Sequence, residues 1–227
     1  MAKAELTLRP TVSSAHLREA ARSYRWVVTG GLAWILALAA GFWILIRFTY
    51  KGAWPQESPA QWPRDSRIPF TSGAPQLLLF AHPHCPCSRA TFADLDRLVA
   101  SMPVQPMIRV FFVRPRGCPP GWERSENWDL AAHIPGAIVT CDVDGAEAAR
   151  FGARLSGAVL LFDADGALRF SGGINGERGH EGCSAGSQAI LAILAGRQTD
   201  TSQAPVFGCP LFDSGQSASR STAEPLP

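Results

Sequence analysis

The sequence has no marked excess of charge of one sign. Its 227 residues include 21 lysines and arginines against 19 aspartates and glutamates, a formal net charge of +2. A domain that binds nucleic acid through phosphate contacts normally carries a strongly basic patch or face. We therefore expect no nucleic acid partner.

Long apolar runs are also scarce, and the one that is present lies near the start. Residues 26–46 (WVVTGGLAWILALAAGFWILI) form a run of 21 residues without a charged side chain. At a rise of about 1.5 Å per residue, a helix of this length spans the hydrocarbon layer of a bilayer. A cleaved signal peptide is the main alternative, but its apolar stretch is usually shorter. We predict one transmembrane helix over residues 26–46.

The charges before this run favour one orientation in the membrane. Residues 1–25 carry five basic and two acidic side chains, and such an excess of lysine and arginine is typical of cytoplasmic segments. Arg47 and Lys51 on the far side oppose this bias. We predict a single-pass protein in the lipid bilayer, with a cytoplasmic N-terminal tail and a periplasmic or other extracytoplasmic C-terminal domain.

The remaining chain divides by composition. Residues 47–71 contain four prolines, which predicts an irregular linker. Residues 72–196 have the mixture of apolar and polar segments expected of one folded domain. Residues 197–227 are rich in Ser, Thr, Gln and Pro, which predicts disorder apart from the apolar residues 206–212.

Within the predicted domain, apolar periodicity indicates alternating strands and helices. Strands are expected at residues 76–81, about 107–113, 137–141, 158–162 and 167–171, and helices at 89–101, 125–133, about 145–151 and 187–194. The last two strands form a hairpin across an Asp-Gly turn. This order predicts an α/β fold with a mixed sheet flanked by helices.

The order of elements resembles that of the thioredoxin-like superfamily over about residues 72–196. Residues 151–162 (FGARLSGAVLLF) are similar to the thioredoxin segment that leads into the hairpin. More narrowly, HPHCPCSRA at 82–90, IPG at 134–136 and SGGINGERGH at 171–180 are similar to membrane-anchored RedB-like proteins of this superfamily. The resemblance implies a thioredoxin-like fold with a cysteine site after the first strand.

Two positions depart from the thioredoxin pattern. Thioredoxins carry Cys-x-x-Cys, whereas Ser88 stands where the second cysteine is expected, and Cys87 lies one position earlier. The cis-proline that precedes the hairpin in thioredoxins aligns with Gly157. The resemblance therefore implies an altered site at these positions.

The cysteine loop suggests thiol chemistry. A cysteine in the first turn of a helix faces unpaired backbone N–H groups, which favour the thiolate, and Cys85 has that position. Protonated His82 or His84 would favour it further, and thiolate is the form that attacks disulfides. We predict a thiol–disulfide oxidoreductase without a cofactor that acts on protein thiols and disulfides, with Cys85 as nucleophile and Cys87 as candidate resolving thiol.

Two other functions fit the same residues. A copper- or zinc-binding, chaperone-like module would use soft thiolates and imidazoles. Its candidate ligands are His82, His84, Cys85, Cys87 and His180. A catalytically silent, thioredoxin-like interaction domain is suggested by Gly157 in place of proline.

The six cysteines allow several disulfide maps, because thiols in an extracytoplasmic domain can be oxidised. Cys118 lies in an irregular loop and Cys141 in a predicted buried strand, so both are expected to be structural. Cys209 stands alone in the C-terminal region, where it could pair with Cys183 or tether the tail across the domain.

Overall fold

The chain divides into two compact units, with the boundary between Phe48 and Thr49. The structure, a computed structural model, describes residues 14–55 and 58–212. The first unit is formed by the N-terminal helix and the second by the α/β domain. The site discussed below lies in the second unit.

The predicted apolar helix is present. Helix α1 comprises Ser14–Tyr50, and its Tyr24–Tyr50 stretch is long and apolar enough to cross a membrane. None of that stretch is buried within the protein. Its apolar side chains therefore have no protein core to pack into.

The domain is built on a mixed five-stranded sheet in the order β3-β2-β1-β4-β5. Strands β1, β2 and β3 are parallel to one another, whereas β4 is antiparallel to both β1 and β5. The strands are β1 (Gln76–Ala81), β2 (Met107–Arg114), β3 (Ala137–Val143), β4 (Ala158–Phe162) and β5 (Leu168–Gly172), and the helices are α2 (Ser88–Ser101), α3 (Glu126–His133), α4 (Ala146–Arg150) and α5 (Ala185–Leu194).

Strand β1 lies at the centre of the sheet, and all six of its residues are buried. Successive side chains of a strand point to opposite faces. Leu77 and Leu79 pack with the cluster that includes α2, α3 and α5, while Leu78 and Phe80 pack with the cluster on the α4 side. Helices thus cover both faces, which explains the continuous apolar sequence of β1.

The structure confirms the predicted fold class, with an apolar N-terminal helix preceding a helix-flanked mixed sheet. Strands β1 and β4 have the predicted bounds, and Ser125 caps α3 by accepting a hydrogen bond from the Trp128 N–H. Helix α5 begins two residues earlier than predicted. Ser184 and Ser187 form a capping box there, which satisfies the first backbone N–H groups.

The proline-rich segment before β1 differs from the predicted free linker. The Trp62 ring lies 5.3 Å from the Phe70 ring and 5.1 Å from the Phe151 and Phe162 rings. Ile68 is buried in the same cluster. The prolines do prevent a regular helix or strand, but the apolar residues between them cover the α4 side of the sheet.

The prediction of disorder from residue 197 excepted the apolar residues 206–212, and the structure extends the packed segment back to residue 203. Residues 203–212, here called the C-terminal strap, run along the domain. Val206 and Leu211 of the strap are buried in the core of the domain. Single bridges pair Val206 with Ala53 and Pro210 with Leu155. The apolar residues at 206–212 thus have a packing role, while residues 213–227 lie outside the described part of the chain.

Replacing Trp62 with alanine is expected to lower the free energy of unfolding by roughly 2–3 kcal/mol, because it removes a large ring from a packed cluster. The matched control is Trp54→Ala, since the Trp54 side chain in the same segment is exposed. Urea unfolding of the full chain in detergent micelles, followed by circular dichroism, measures both. Equal stability of the two variants would show that this segment is a free linker.

Candidate active site

The cysteine loop, residues 82–87, connects the buried end of β1 to α2. The loop turns through hydrogen bonds from the Cys85 N–H to the His82 carbonyl and from the Ser88 N–H to the Cys85 carbonyl, each 3.2 Å long. The buried Asn127 amide donates to the carbonyls of Pro83 and Cys85, both at 2.9 Å. Cys85 therefore lies just before the helix rather than in its first turn, and α3 fixes its backbone.

Cys85 is almost completely buried, with 1% of its surface exposed. Burial raises the pKa of its thiol, but hydrogen bonds from the Ser88 side chain, from the side chain and N–H of Cys209 and from the Cys87 N–H more than offset it. The net effect places the pKa of Cys85 below its ordinary value. The site thus stabilises a thiolate in a position that excludes most solvent.

Two buried serines orient this arrangement. The Ser156 hydroxyl accepts a hydrogen bond from the His82 N–H at 2.8 Å and lies 2.7 Å from the Ser88 hydroxyl. Because the Ser156 oxygen accepts the His82 N–H, the Ser156 hydroxyl proton is available for a hydrogen bond to the Ser88 oxygen. The Ser88 proton is then directed to Cys85. The residue at the second-cysteine position thus acts as a hydrogen-bond donor to Cys85.

Cys209 is the functional residue that the sequence analysis did not place in the site. Its carbonyl accepts a hydrogen bond from the Ser156 N–H at 2.8 Å, which holds it next to the cysteine loop. Burial raises the pKa of Cys209 to about 12, together with its hydrogen bond to Cys85 and the charges of Cys85 and Cys87. When Cys85 is ionised, Cys209 therefore keeps its proton and donates it in a hydrogen bond.

The suggested Cys183–Cys209 disulfide is not formed, because all six cysteines are free thiols and Cys209 lies against Cys85. Cys183 is exposed and accepts a 3.2 Å hydrogen bond from the Gln188 amide. The sequence also predicts that Cys209 could tether the C-terminal tail across the domain. Backbone pairing and burial of the strap provide that tether without a disulfide.

Cys87 is half-buried at the N-cap position of α2. Burial raises the pKa of its thiol, and the nearby charge of Cys85 raises it further, while Arg178 lowers it. The two loop thiols are thus shifted in opposite directions. Their order of ionisation favours Cys85 as the nucleophile.

His82 and His84 pack around a tryptophan. The His84 ring centroid lies 4.7 Å from that of Trp122, and the His82 centroid lies 5.7 Å from it. The His84 N–H donates to Nδ1 of His82 at 3.2 Å. The structure therefore gives both rings a packing contact, and their part in thiolate formation stays a prediction.

The candidate metal ligands do not converge on one point. Within residues 14–55 and 58–212, no group of three or more His, Cys, Asp or Glu side chains is placed to hold a metal ion. His180 is exposed, with its Nδ1 3.4 Å from a Glu177 carboxylate oxygen. The copper or zinc alternative therefore stays a prediction, without a cluster of three or more such ligands in the described part of the chain.

Gly157, the residue at the thioredoxin proline position, has a left-handed backbone with φ of +88°. Its N–H donates to the Phe80 carbonyl at 2.8 Å. A side chain is disfavoured at such a φ, so glycine suits this position. Gly157 thus ties the backbone before β4 to the end of β1, beside the cysteine loop.

No protein-family model matches the chain, and no curated protein matches it. Among solved structures it is similar to a hypothetical protein from Sinorhizobium meliloti, with a TM-score of 0.54 and 17% identity over 73% of this chain and 100% of that one. It is also similar to an uncharacterized conserved protein from Geobacillus kaustophilus, with a TM-score of 0.52 and 21% identity over 73% and 95% of the two chains.

A secreted disulfide oxidoreductase from Mycobacterium tuberculosis matches with a TM-score of 0.36 and 17% identity over 55% of this chain and 83% of that one. The matches to the Sinorhizobium meliloti and Geobacillus kaustophilus proteins show a shared fold and carry no information about activity. The strand order and strand directions are those of the thioredoxin-like fold, as predicted.

Replacing Ser88 with alanine is expected to raise the pKa of Cys85, because a hydrogen bond that stabilises the thiolate is lost. The rate of Cys85 alkylation, measured against pH with a small thiol reagent, should then rise at higher pH than in the wild type. The control is Ser101→Ala at the far end of α2, where the hydroxyl donates to the Arg97 carbonyl. An unchanged pH profile for Ser88→Ala would contradict this account.

Proposed function

We propose that this protein is a membrane-anchored thiol–disulfide oxidoreductase with Cys85 as its nucleophile. The observation that carries the proposal is the buried Cys85 sulfur, whose thiolate is stabilised by side-chain and backbone donors at the end of a central strand. A thiol whose pKa is lowered by nearby donors is more reactive near neutral pH than an ordinary buried thiol, because the thiolate is the nucleophile. The thioredoxin-like fold supports the same chemistry by analogy.

The reaction begins with attack of the Cys85 thiolate on one sulfur of a partner's disulfide. A mixed disulfide forms, and the other partner sulfur leaves as a thiolate that takes up a proton. A second thiol must then attack Cys85 or the partner to complete the exchange. The sequence suggests Cys87 for this role, although a ring closed between cysteines two residues apart is strained.

A membrane anchor belongs to this proposal. Helix α1 is long and apolar enough to anchor the chain, and the short motifs resemble those of membrane-anchored RedB-like proteins. An extracytoplasmic domain would meet protein disulfides that persist there, whereas cytosolic thiols are kept reduced. We infer that the domain faces the extracytoplasmic side and exchanges disulfides with other proteins.

The activity is tested with the full chain in detergent micelles. The reduced wild type is expected to reduce a fluorogenic peptide disulfide, and Cys85→Ser is expected to lose that reaction. Cys183→Ser is the matched control, because Cys183 is an exposed thiol. Persistent exchange in Cys85→Ser would contradict the proposed nucleophile.

The same preparations separate oxidoreductase activity from metal binding. A metal-binding module predicts stoichiometric copper or zinc that is lost in Cys85→Ser, whereas the oxidoreductase retains its exchange rate after treatment with a chelator. Stoichiometric metal together with no exchange would favour the metal alternative.

Orientation can be measured at Cys183, because its side chain is exposed. In spheroplasts, a membrane-impermeant maleimide is expected to label the wild type, with Cys183→Ser as the control for labelling at other cysteines. Labelling of Cys183 only after lysis would place the domain in the cytoplasm.

A further inference from the structure

The C-terminal strap pairs with the backbone that precedes β4, as an added strand would. The Ser156 N–H donates to the Cys209 carbonyl at 2.8 Å, and the Leu211 N–H donates to the Arg154 carbonyl at 2.9 Å. Leu155 and Pro210 form an antiparallel bridge between these bonds. Extended peptides commonly bind proteins through backbone pairing of this kind. The strap therefore lies where a partner's extended segment could pair with the domain.

Glycines permit this close contact. A Cβ atom on Gly208 would lie 1.8 Å from the Ser156 carbonyl oxygen, and one on Gly172 would lie 2.4 Å from the Ala204 carbonyl oxygen. A Cβ on Gly173 would lie 2.6 Å from the Pro205 carbonyl oxygen. The strap can therefore dock this closely only with glycine at these three positions, and the Gly172-Gly173 pair has a packing role.

The docked strap brings a second thiol to the buried nucleophile. Backbone pairing with Ser156 holds Cys209 beside the cysteine loop, where its side chain and N–H lower the pKa of Cys85. With Cys85 only 1% exposed, a sulfur of another protein has no open approach to it. The strap must leave before a partner can react with Cys85.

We infer that Cys209 is the resolving thiol of Cys85, and that the strap alternates on residues 154–156 with a cysteine-containing segment of the partner protein. This inference rests on the proposed function, because it takes Cys85 as the nucleophile. It assigns to Cys209 the role that the sequence suggests for Cys87. It also identifies the partner chemically as a protein disulfide presented on an extended segment.

The thiol–disulfide exchange has two steps. Cys85 thiolate attacks the partner's disulfide, which gives a Cys85–partner mixed disulfide and one partner thiolate. The returning Cys209, as thiolate, attacks the Cys85 sulfur, which forms the Cys85–Cys209 disulfide and releases the second partner thiolate. Two thiols of this chain are oxidised, one partner disulfide is reduced, and the partner thiolates take up the two protons. The reverse sequence oxidises a partner dithiol.

The electrostatics give these steps an order. Burial raises the pKa of Cys209 most, and ionised Cys85 raises it further through a hydrogen bond and through its charge, so Cys209 keeps its proton. Once Cys85 is in a mixed disulfide it no longer carries that charge, and the favourable effect of Arg178 on a Cys209 thiolate persists. Arg178 also donates to the Gly208 carbonyl at 3.1 Å, which holds the strap beside it. Cys209 thus becomes more acidic only after Cys85 has reacted.

The test uses the reduced full chain in detergent micelles, treated with glutathione disulfide, quenched with acid and mapped by mass spectrometry. Wild type is expected to form a Cys85–Cys209 disulfide. In Cys209→Ser, the glutathione adduct on Cys85 should persist at least about tenfold longer, because a tethered thiol acts at an effective concentration of the order of millimolar. Cys183→Ser is the control and should resolve the adduct as the wild type does, because Cys183 is an exposed thiol outside the cysteine loop.

The outcomes separate the two proposals. A Cys85–Cys87 disulfide in the wild type, with equal resolution in Cys209→Ser, overturns the role of Cys209 and leaves Cys85 as the nucleophile. Absence of any Cys85 adduct in both the wild type and Cys209→Ser overturns the proposed function and this inference together.

A second variant tests the strap without changing a thiol. Gly208→Ala is expected to undock the strap, which removes the Cys209 donors and opens access to Cys85. At a pH high enough to ionise Cys85 fully in both proteins, alkylation of Cys85 should then become at least about tenfold faster, while the Cys85–Cys209 disulfide forms more slowly. Gly176→Ala is the matched control, because a Cβ on Gly176 meets nothing within 4 Å. Unchanged alkylation and disulfide formation in Gly208→Ala would overturn the inference that the strap covers the nucleophile.

Discussion

The site depends on one constraint, the cost of placing an ionisable sulfur inside a protein. Burial disfavours the charged form of a thiol, so a buried thiolate requires donors that replace its hydration. Around Cys85 these donors come from Ser88, from the Cys87 backbone and from Cys209. They come from two parts of the chain that are far apart in sequence. The position of the C-terminal strap and the reactivity of Cys85 are therefore linked.

The sheet supplies the geometry that this constraint requires. Strand β1 is central and buried, so the loop that follows it begins at a fixed point. Its antiparallel neighbour β4 pairs Ala158 with Phe80, which places Ser156 and Gly157 beside the end of β1. Ser156 uses its hydroxyl for Ser88 and its N–H for the Cys209 carbonyl. One residue thus connects the cysteine loop to the strap, and the resolving role inferred for Cys209 depends on this connection.

Local patterns made much of the fold predictable. The apolar runs of β1 and β4 and the Ser125 cap of α3 are encoded within a few residues, and the structure has them as expected. Two segments whose composition suggested solvent exposure are packed in the structure. Prolines around Trp62 predicted an irregular linker, and polar residues before the apolar segment 206–212 predicted disorder. Apolar residues of both regions instead pack into the cluster on the α4 side of the sheet. A few apolar residues suffice to dock a segment that has no regular structure of its own.

The sequence by itself determined the apolar helix, the alternating strands and helices, and the position of Cys85 after the first strand. These features follow from hydrophobic periodicity and local turn chemistry, which act over short distances along the chain. Only the tertiary structure brought a thiol from a distant part of the chain to Cys85. Cys87 is near it in sequence, whereas Cys209 reaches it through backbone pairing at Ser156 and a close approach at Gly208. Backbone pairing carries little side-chain signature, so no sequence pattern indicated that contact.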